Sequence, residues 1–107
     1  VHTIVKQIAE EYKEVLKSLY GNELAELVLF GSYARGDAQD ESDVDFAIVL
    51  NNPDTRSATE LIKTAPIASR LSLKYGLMIS SLPVSLHKKQ TSLQGVFRNI
   101  RKEGITI

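Results

Sequence analysis

Apolar residues recur at three- and four-residue intervals from residue 4 to residue 20. Ile4, Ile8, Val15 and Leu19 share a stripe with Val5, Tyr12 and Leu16, while Lys6, Glu10, Glu11, Lys13, Glu14 and Lys17 fall on the other side. That period predicts an amphipathic helix, with Thr3 as its cap and Gly21-Asn22 as its stop. Leu24 to Phe30 is a short apolar run ending in Gly31, the pattern of a buried strand. Residues 31–42, rich in Gly, Ser, Asp and Gln, predict a loop with one helical turn at Tyr33-Ala34-Arg35. A second strand follows over Asp43–Leu50, apolar on both faces after its first residues, and Asn51-Asn52-Pro53-Asp54 breaks it. Ser57 to Tyr75 again has helical spacing, with Leu61, Ile62, Ile67, Ala68, Leu71 and Leu73 as candidates for burial. Pro66 either starts a new segment there or kinks the helix, and Gly76 closes it. Leu77–Ser85 reads as a third strand whose Pro83 marks an edge or a bulge. Ser92 fits the N-cap of a last helix carrying Leu93, Val96, Phe97 and Ile100, ended by Gly104, and Ile105-Thr106-Ile107 adds a short strand.

This order of elements, without a repeat or a linker, predicts one α/β domain over residues 1–107. Composition agrees: 43% hydrophobic and 24% charged residues are ordinary for a globular protein and exclude a disordered chain. No apolar run has the length of a membrane span. The acidic N-terminus has no cleavage site of the secretory kind, and the chain has no cysteine, which together predict a cytoplasmic protein. Net charge is zero but unevenly spread. Residues 1–54 carry eleven acids against four bases, and residues 55–107 two acids against nine bases, balances of −7 and +7. Mutual neutralisation within one compact fold accounts for this more simply than two faces for different partners. The bases are scattered, with few aromatics between them, so direct nucleic-acid binding is not expected.

Candidate chemistry concentrates in GSYARGDAQDESDVD, residues 31–45. A strand that ends in Gly-Ser and runs into a helical turn exposes backbone N–H groups to an anion. The missing side chain at Gly31 lets a phosphate come close, and Ser32 adds a hydroxyl donor. Asp43 and Asp45, two apart at the start of a strand, share one face while Val44 and Phe46 take the other. Such a pair repels itself unless a cation lies between, and its hard oxygens suit Mg²⁺ completed by water and substrate phosphate. A phosphate cradle facing a metal-binding pair predicts nucleotidyl transfer, in which an acceptor hydroxyl attacks the α-phosphate in line.

Gly31-Ser32, ten residues and then Asp43-x-Asp45, set between two apolar runs, resembles the signature of the DNA polymerase β nucleotidyltransferase superfamily. More closely, LVLFGSYARGDAQDESDVDFAIVL resembles the core of the minimal nucleotidyltransferases, small proteins often encoded beside a HEPN-domain toxin. The closing PVSLHKKQTSLQGVFRNIRKEGITI is similar to their last strand and final helix, with its ending in Ile-x-x-Glu-Gly. The resemblance covers nearly the whole chain. It implies a mixed sheet of three to four strands flanked by helices, like the polymerase β palm. It further implies nucleotide contacts from Gly31, Ser32 and Arg35, Mg²⁺ ligation and catalysis by Asp43 and Asp45, and AMP transfer from ATP (or another NTP). The acceptor it implies is a tyrosine of a HEPN toxin, with this chain as the antitoxin. Arg35 either approaches phosphate or braces the loop against Asp37 or Asp40.

The sequence departs from the superfamily pattern at one place. Active members commonly carry a third carboxylate on a later strand, and alignment puts Ser80 there; no Asp or Glu occurs between Glu60 and Glu103. Serine is a poor Mg²⁺ ligand and no base at neutral pH. Three readings stand: an enzyme with an acidic acceptor such as a phenol, a non-catalytic module that neutralises a partner by contact, and a small-molecule nucleotidyltransferase of the aminoglycoside-modifying kind. His87 and the bases Lys88, Lys89, Arg98, Arg101 and Lys102 read as a solvated face, Tyr33 as packed against the domain, and Tyr12, Tyr20 and Tyr75 as structural. The last helix's apolar stripe reads as core, with a homo-oligomer or a toxin as the other use of such a face.

Overall fold

A computed structural model of the chain describes residues 2–107. Helix α1 (Thr3–Tyr20) and a 3₁₀ turn (Gly21–Glu23) lead into β1 (Leu24–Phe30), the single-turn α2 (Ser32–Arg35) and β2 (Val44–Leu50). Helix α3 (Ser57–Tyr75) then precedes β3 (Ile79–Ser85), α4 (Leu86–Thr91), α5 (Gly95–Glu103) and β4 (Ile105–Thr106). The sheet runs β3-β2-β1-β4. β1 is antiparallel to β2 and β4, whereas β2 and β3 are parallel, as a helical crossover through α3 allows.

β2 is central, and both its faces are covered, which is why it reads as apolar throughout. Val44, Phe46, Ile48 and Leu50 join Leu27 and Leu29 under Val5, Ile8, Tyr12 and Leu16 of α1 and Leu71 of α3. Ala47 and Val49 face the other way, with Val28 and Val84, against Phe97 and Ile100 of α5. Tyr12 is fully buried, meets Phe46 edge-on at 5.4 Å, and shares a 2.7 Å hydrogen bond with the Ser81 hydroxyl. An edge-to-face pair of this kind adds about 0.5–1.5 kcal/mol beyond its burial.

Several expectations need correction. His2, not Thr3, caps α1: its Nδ1 accepts from the Ile4 amide. Pro66 starts no new segment, because α3 runs unbroken over Ser57–Tyr75 with Pro66 inside it. The carbonyl that Pro66 leaves unpaired belongs to Ile62, on the solvent side, where water can serve it. The buried stripe of α3 is Thr64, Ile67, Ala68 and Leu71, a narrower face than the composition suggests. Leu61, Ile62 and Leu73 lie off that stripe, and Ile62 and Leu73 are 76% and 87% exposed. Thr64 buries its hydroxyl by donating to the Glu60 carbonyl at 3.0 Å. Residues 86–91, which the sequence pattern left without an element, form α4, capped by the Ser85 hydroxyl accepting from the Lys88 amide. Ser92 ends α4 instead of starting α5, whose N-cap is Gln94, so Leu93 stands outside the last helix and is 82% exposed. Val96 is also exposed, leaving Phe97 and Ile100 as the buried part of that stripe. Pro83 does sit on an edge strand, β3.

The two oppositely charged halves are cross-braced. Lys74 pairs with Glu11 at 2.7 Å, Lys89 with Glu26 at 3.0 Å, and Arg35 with Glu103 at 3.3 Å. Among the C-terminal bases, Arg101 donates to the Lys89 and Ser92 carbonyls, and Lys88 lies 5.5 Å from the Phe97 ring centre.

Candidate active site

The antiparallel ladder of β1 and β2 ends on the pair Phe30 and Asp45, so the two ends of the 31–43 loop are held side by side. Gly31 turns the chain there with φ 76° and ψ −155°, a region closed to ordinary L residues. Space demands glycine as well, because a Cβ at Gly31 would run into the Asp45 carboxylate. The Asp45 side chain therefore lies directly against the turn that opens α2. Among the described residues, the amides of Ser32 and Tyr33 and the Ser32 hydroxyl have no hydrogen-bond partner within the chain, whereas the amides of Ala34 and Arg35 both donate to the Gly31 carbonyl. Free N–H groups at the start of a helical turn are donors available to an anion.

Asp43 stands just before β2, and the neighbouring Val44 amide donates to the Met78 carbonyl at 2.8 Å, tying this end of β2 to the approach of β3. Burial pushes the Asp45 carboxyl above its ordinary value, the charge of Asp43 adds to the rise, and Arg35 partly offsets it. Asp43 and Asp45 thus feel one another, as two carboxylates sharing a site do. Asp45 lies on the α5 side of β2, the side of Ala47 and Val49, and its partner in the parallel ladder is Ser80 of β3. Alternation along both strands puts Ser80 and Asp45 on one face, and Ser80 is exposed.

Arg35 donates through Nε to Asp37 at 3.1 Å and through Nη1 to Glu103 at 3.3 Å; Asp40 is not its partner. Both acids raise its pKa. Glu103, the last residue of α5, is the member of this corner that the sequence pattern did not assign to the site. Its signal was the Ile-x-x-Glu-Gly ending. Gly104 packs so tightly on the Ile100 carbonyl and the Val28 methyl that a Cβ has no room, which seats Glu103 firmly. Tyr33 packs, half-buried, against the core on the α1 side with its ring 6.1 Å from that of His2.

Among the described residues no three His, Cys, Asp or Glu side chains gather as a metal cluster; the site offers a pair. A hard divalent cation fits that pair, since two carboxylate oxygens are the donors it prefers and its charge would offset both the burial of the Asp45 charge and the repulsion from Asp43. A turn with free amides abutting a carboxylate pair, at one end of a mixed sheet, suits phosphoryl and nucleotidyl transfer. Residues 9–103 match the family described as "Nucleotidyltransferase domain", and the chain belongs to it: this is a nucleotidyltransferase.

A candidate protein adenylyltransferase of Methanocaldococcus jannaschii is 42% identical over 77 residues, 71% of this chain and 75% of that protein. A chain of a toxin–antitoxin crystal structure with AMP-PNP shares the fold at TM-score 0.62 and 18% identity, covering 91% of this chain and 70% of that one. So does a chain from the complex of a tri-AMPylated Shewanella oneidensis HEPN toxin with an MNT antitoxin, at TM-score 0.57 and 17% identity, covering 95% of this chain and 70% of that one.

Proposed function

We propose that this chain transfers AMP from ATP to a tyrosine hydroxyl of a HEPN-type toxin, acting as its antitoxin in the cytoplasm. The observation that carries the reading is the Asp45 carboxylate lying against Gly31, which joins the phosphate-accepting turn to the carboxylate pair. In this reading the amides of Ser32 and Tyr33 and the Ser32 hydroxyl hold the β- and γ-phosphates. Asp43 and Asp45 would hold Mg²⁺, which when bound neutralises the triphosphate and the departing pyrophosphate. The acceptor oxygen forms a bond to the α-phosphorus as the bond to the pyrophosphate oxygen breaks, and the acceptor's proton passes to Asp45 or Asp43. Ser80, beside Asp45, supplies no base, so the site favours an acceptor that gives up its proton readily; a phenol, with a pKa of about 10, is far better than an alcohol. The AMPylated toxin in the similar complex and the adenylyltransferase name of the relative support AMP and a protein acceptor. Ser80 also favours a second reading, a module that binds a toxin without modifying it.

The test is incubation of the chain with Mg²⁺, α-labelled ATP and an all-helical HEPN-type partner encoded beside it. The expected result is label on a partner tyrosine, lost in Asp43→Ala/Asp45→Ala. Tight association without an adduct from any of the four NTPs would overturn the enzymatic reading and leave the binding module.

A further inference from the structure

We propose that Glu103 is a positioning residue for the nucleotide: from the end of α5 it holds the Arg35 guanidinium at the phosphate end of the site. The inference rests on the nucleotide reading above. Arg35 is one helical turn beyond Ser32, on the same side of α2. A long side chain on a single-turn helix is otherwise mobile, and ordering it when an anion arrives costs conformational entropy. Asp37 alone does not solve this, because it lies two residues along in the same exposed segment and ties Arg35 only to its own loop. Glu103 comes from elsewhere, 68 residues away in sequence. Its helix is fixed by the buried Phe97 and Ile100 and by the close seat of Gly104 on Val28. The two acids take Nε and one Nη1 hydrogen; among the described residues Nη2 makes no hydrogen bond, so donors remain for a phosphate oxygen.

The alternative is a brace with no bearing on ligand, and the two differ in what they couple. Dissociation constants of Mg–ATP and of AMP are measured by calorimetry for the wild type, Arg35→Ala, Glu103→Ala, Glu103→Gln and the double alanine variant, with Tm recorded for each. An exposed ion pair predicts that either alanine variant weakens Mg–ATP about three- to five-fold. The double variant should be no weaker than Arg35→Ala, Glu103→Gln should retain part of the affinity, and AMP, which lacks the β- and γ-phosphates, should bind all variants alike. Unchanged Mg–ATP binding in Glu103→Ala, equal loss for ATP and AMP, or losses that multiply in the double variant would each overturn the role. A wild-type chain that binds no Mg–ATP overturns the nucleotide reading itself, and the role with it.

Discussion

Gly31→Ala tests the geometry of the site without any ligand. The substitution places a methyl group on a backbone at φ 76° and ψ −155°, which costs about 1–3 kcal/mol in strain. That methyl also meets the Asp45 carboxylate, and displacing a packed group costs about 1–3 kcal/mol more. The reduced freedom of the unfolded chain returns about 0.4–1 kcal/mol. The expected net loss is about 3 kcal/mol, a large part of the roughly 5–15 kcal/mol that a domain of this size has. Asp45→Ala removes the carboxyl oxygen in the way, so in that background Gly31→Ala should cost only its strain, about 1–2 kcal/mol. Urea unfolding followed by far-UV circular dichroism, on the wild type, both single variants and the double variant, gives the coupling directly. The chain has no tryptophan, so a fluorescence probe is not the natural choice. Equal costs in both backgrounds would refute the contact between Asp45 and Gly31. A cost below about 0.5 kcal/mol in the wild type would refute the backbone conformation as well.

The carboxyl of Asp45 titrates above its ordinary value, so its ionised form costs stability above the folded pKa, and the cost fades as pH falls through it. Asp45→Asn should therefore raise Tm at neutral pH, with the gain shrinking on acidification and matched in the wild type by adding Mg²⁺. Glu11 is the opposite case: hydrogen bonds from Lys74 and then Tyr75 hold its pKa down. Its contribution is full above the unfolded carboxylate value of about 4.3 and lost as pH falls through the lower folded value. The Tm difference between wild type and Glu11→Gln should thus be present at neutral pH and vanish in acid. Ser80→Asp restores a third acid beside Asp45; it should lower Tm without metal and recover it with Mg²⁺. If the missing base limits turnover, this variant should also raise the rate of adduct formation at least about ten-fold, while a recovered Tm with no gain in rate would show that it does not.

Strand β1 and the long helix α3 were legible from periodicity because burial decides them, and both follow the expected bounds. The breadth of the α3 core face was not legible. Thr64 is buried and Leu73 exposed, because position on the stripe outweighs side-chain polarity when a hydroxyl can donate to its own helix. α4 is too short to show a period, and its capping serine is also the last residue of β3. At the site, the motif brought out Gly31, Ser32, Asp43 and Asp45, and the register of β2 with β3 puts Ser80 beside Asp45, as the alignment expected. The partner of Arg35 could not be read from its surroundings in sequence. Local spacing offers Asp37 and Asp40, while Glu103 arrives only through the packing of α5 on the sheet.

The pairing of Phe30 with Asp45 has a consequence for how freely this molecule can be altered. The distance from the Gly31–Ser32 turn to the carboxylates is fixed by two adjacent strands and not by the number of residues in the loop between them. The exposed tip at Asp40-Glu41 can then accept a short insertion, a tag or a cleavage site without moving either half of the site. Slipping the ladder by one residue would swing the Asp45 carboxylate to the opposite face and leave Gly31 facing a backbone with nothing to grip.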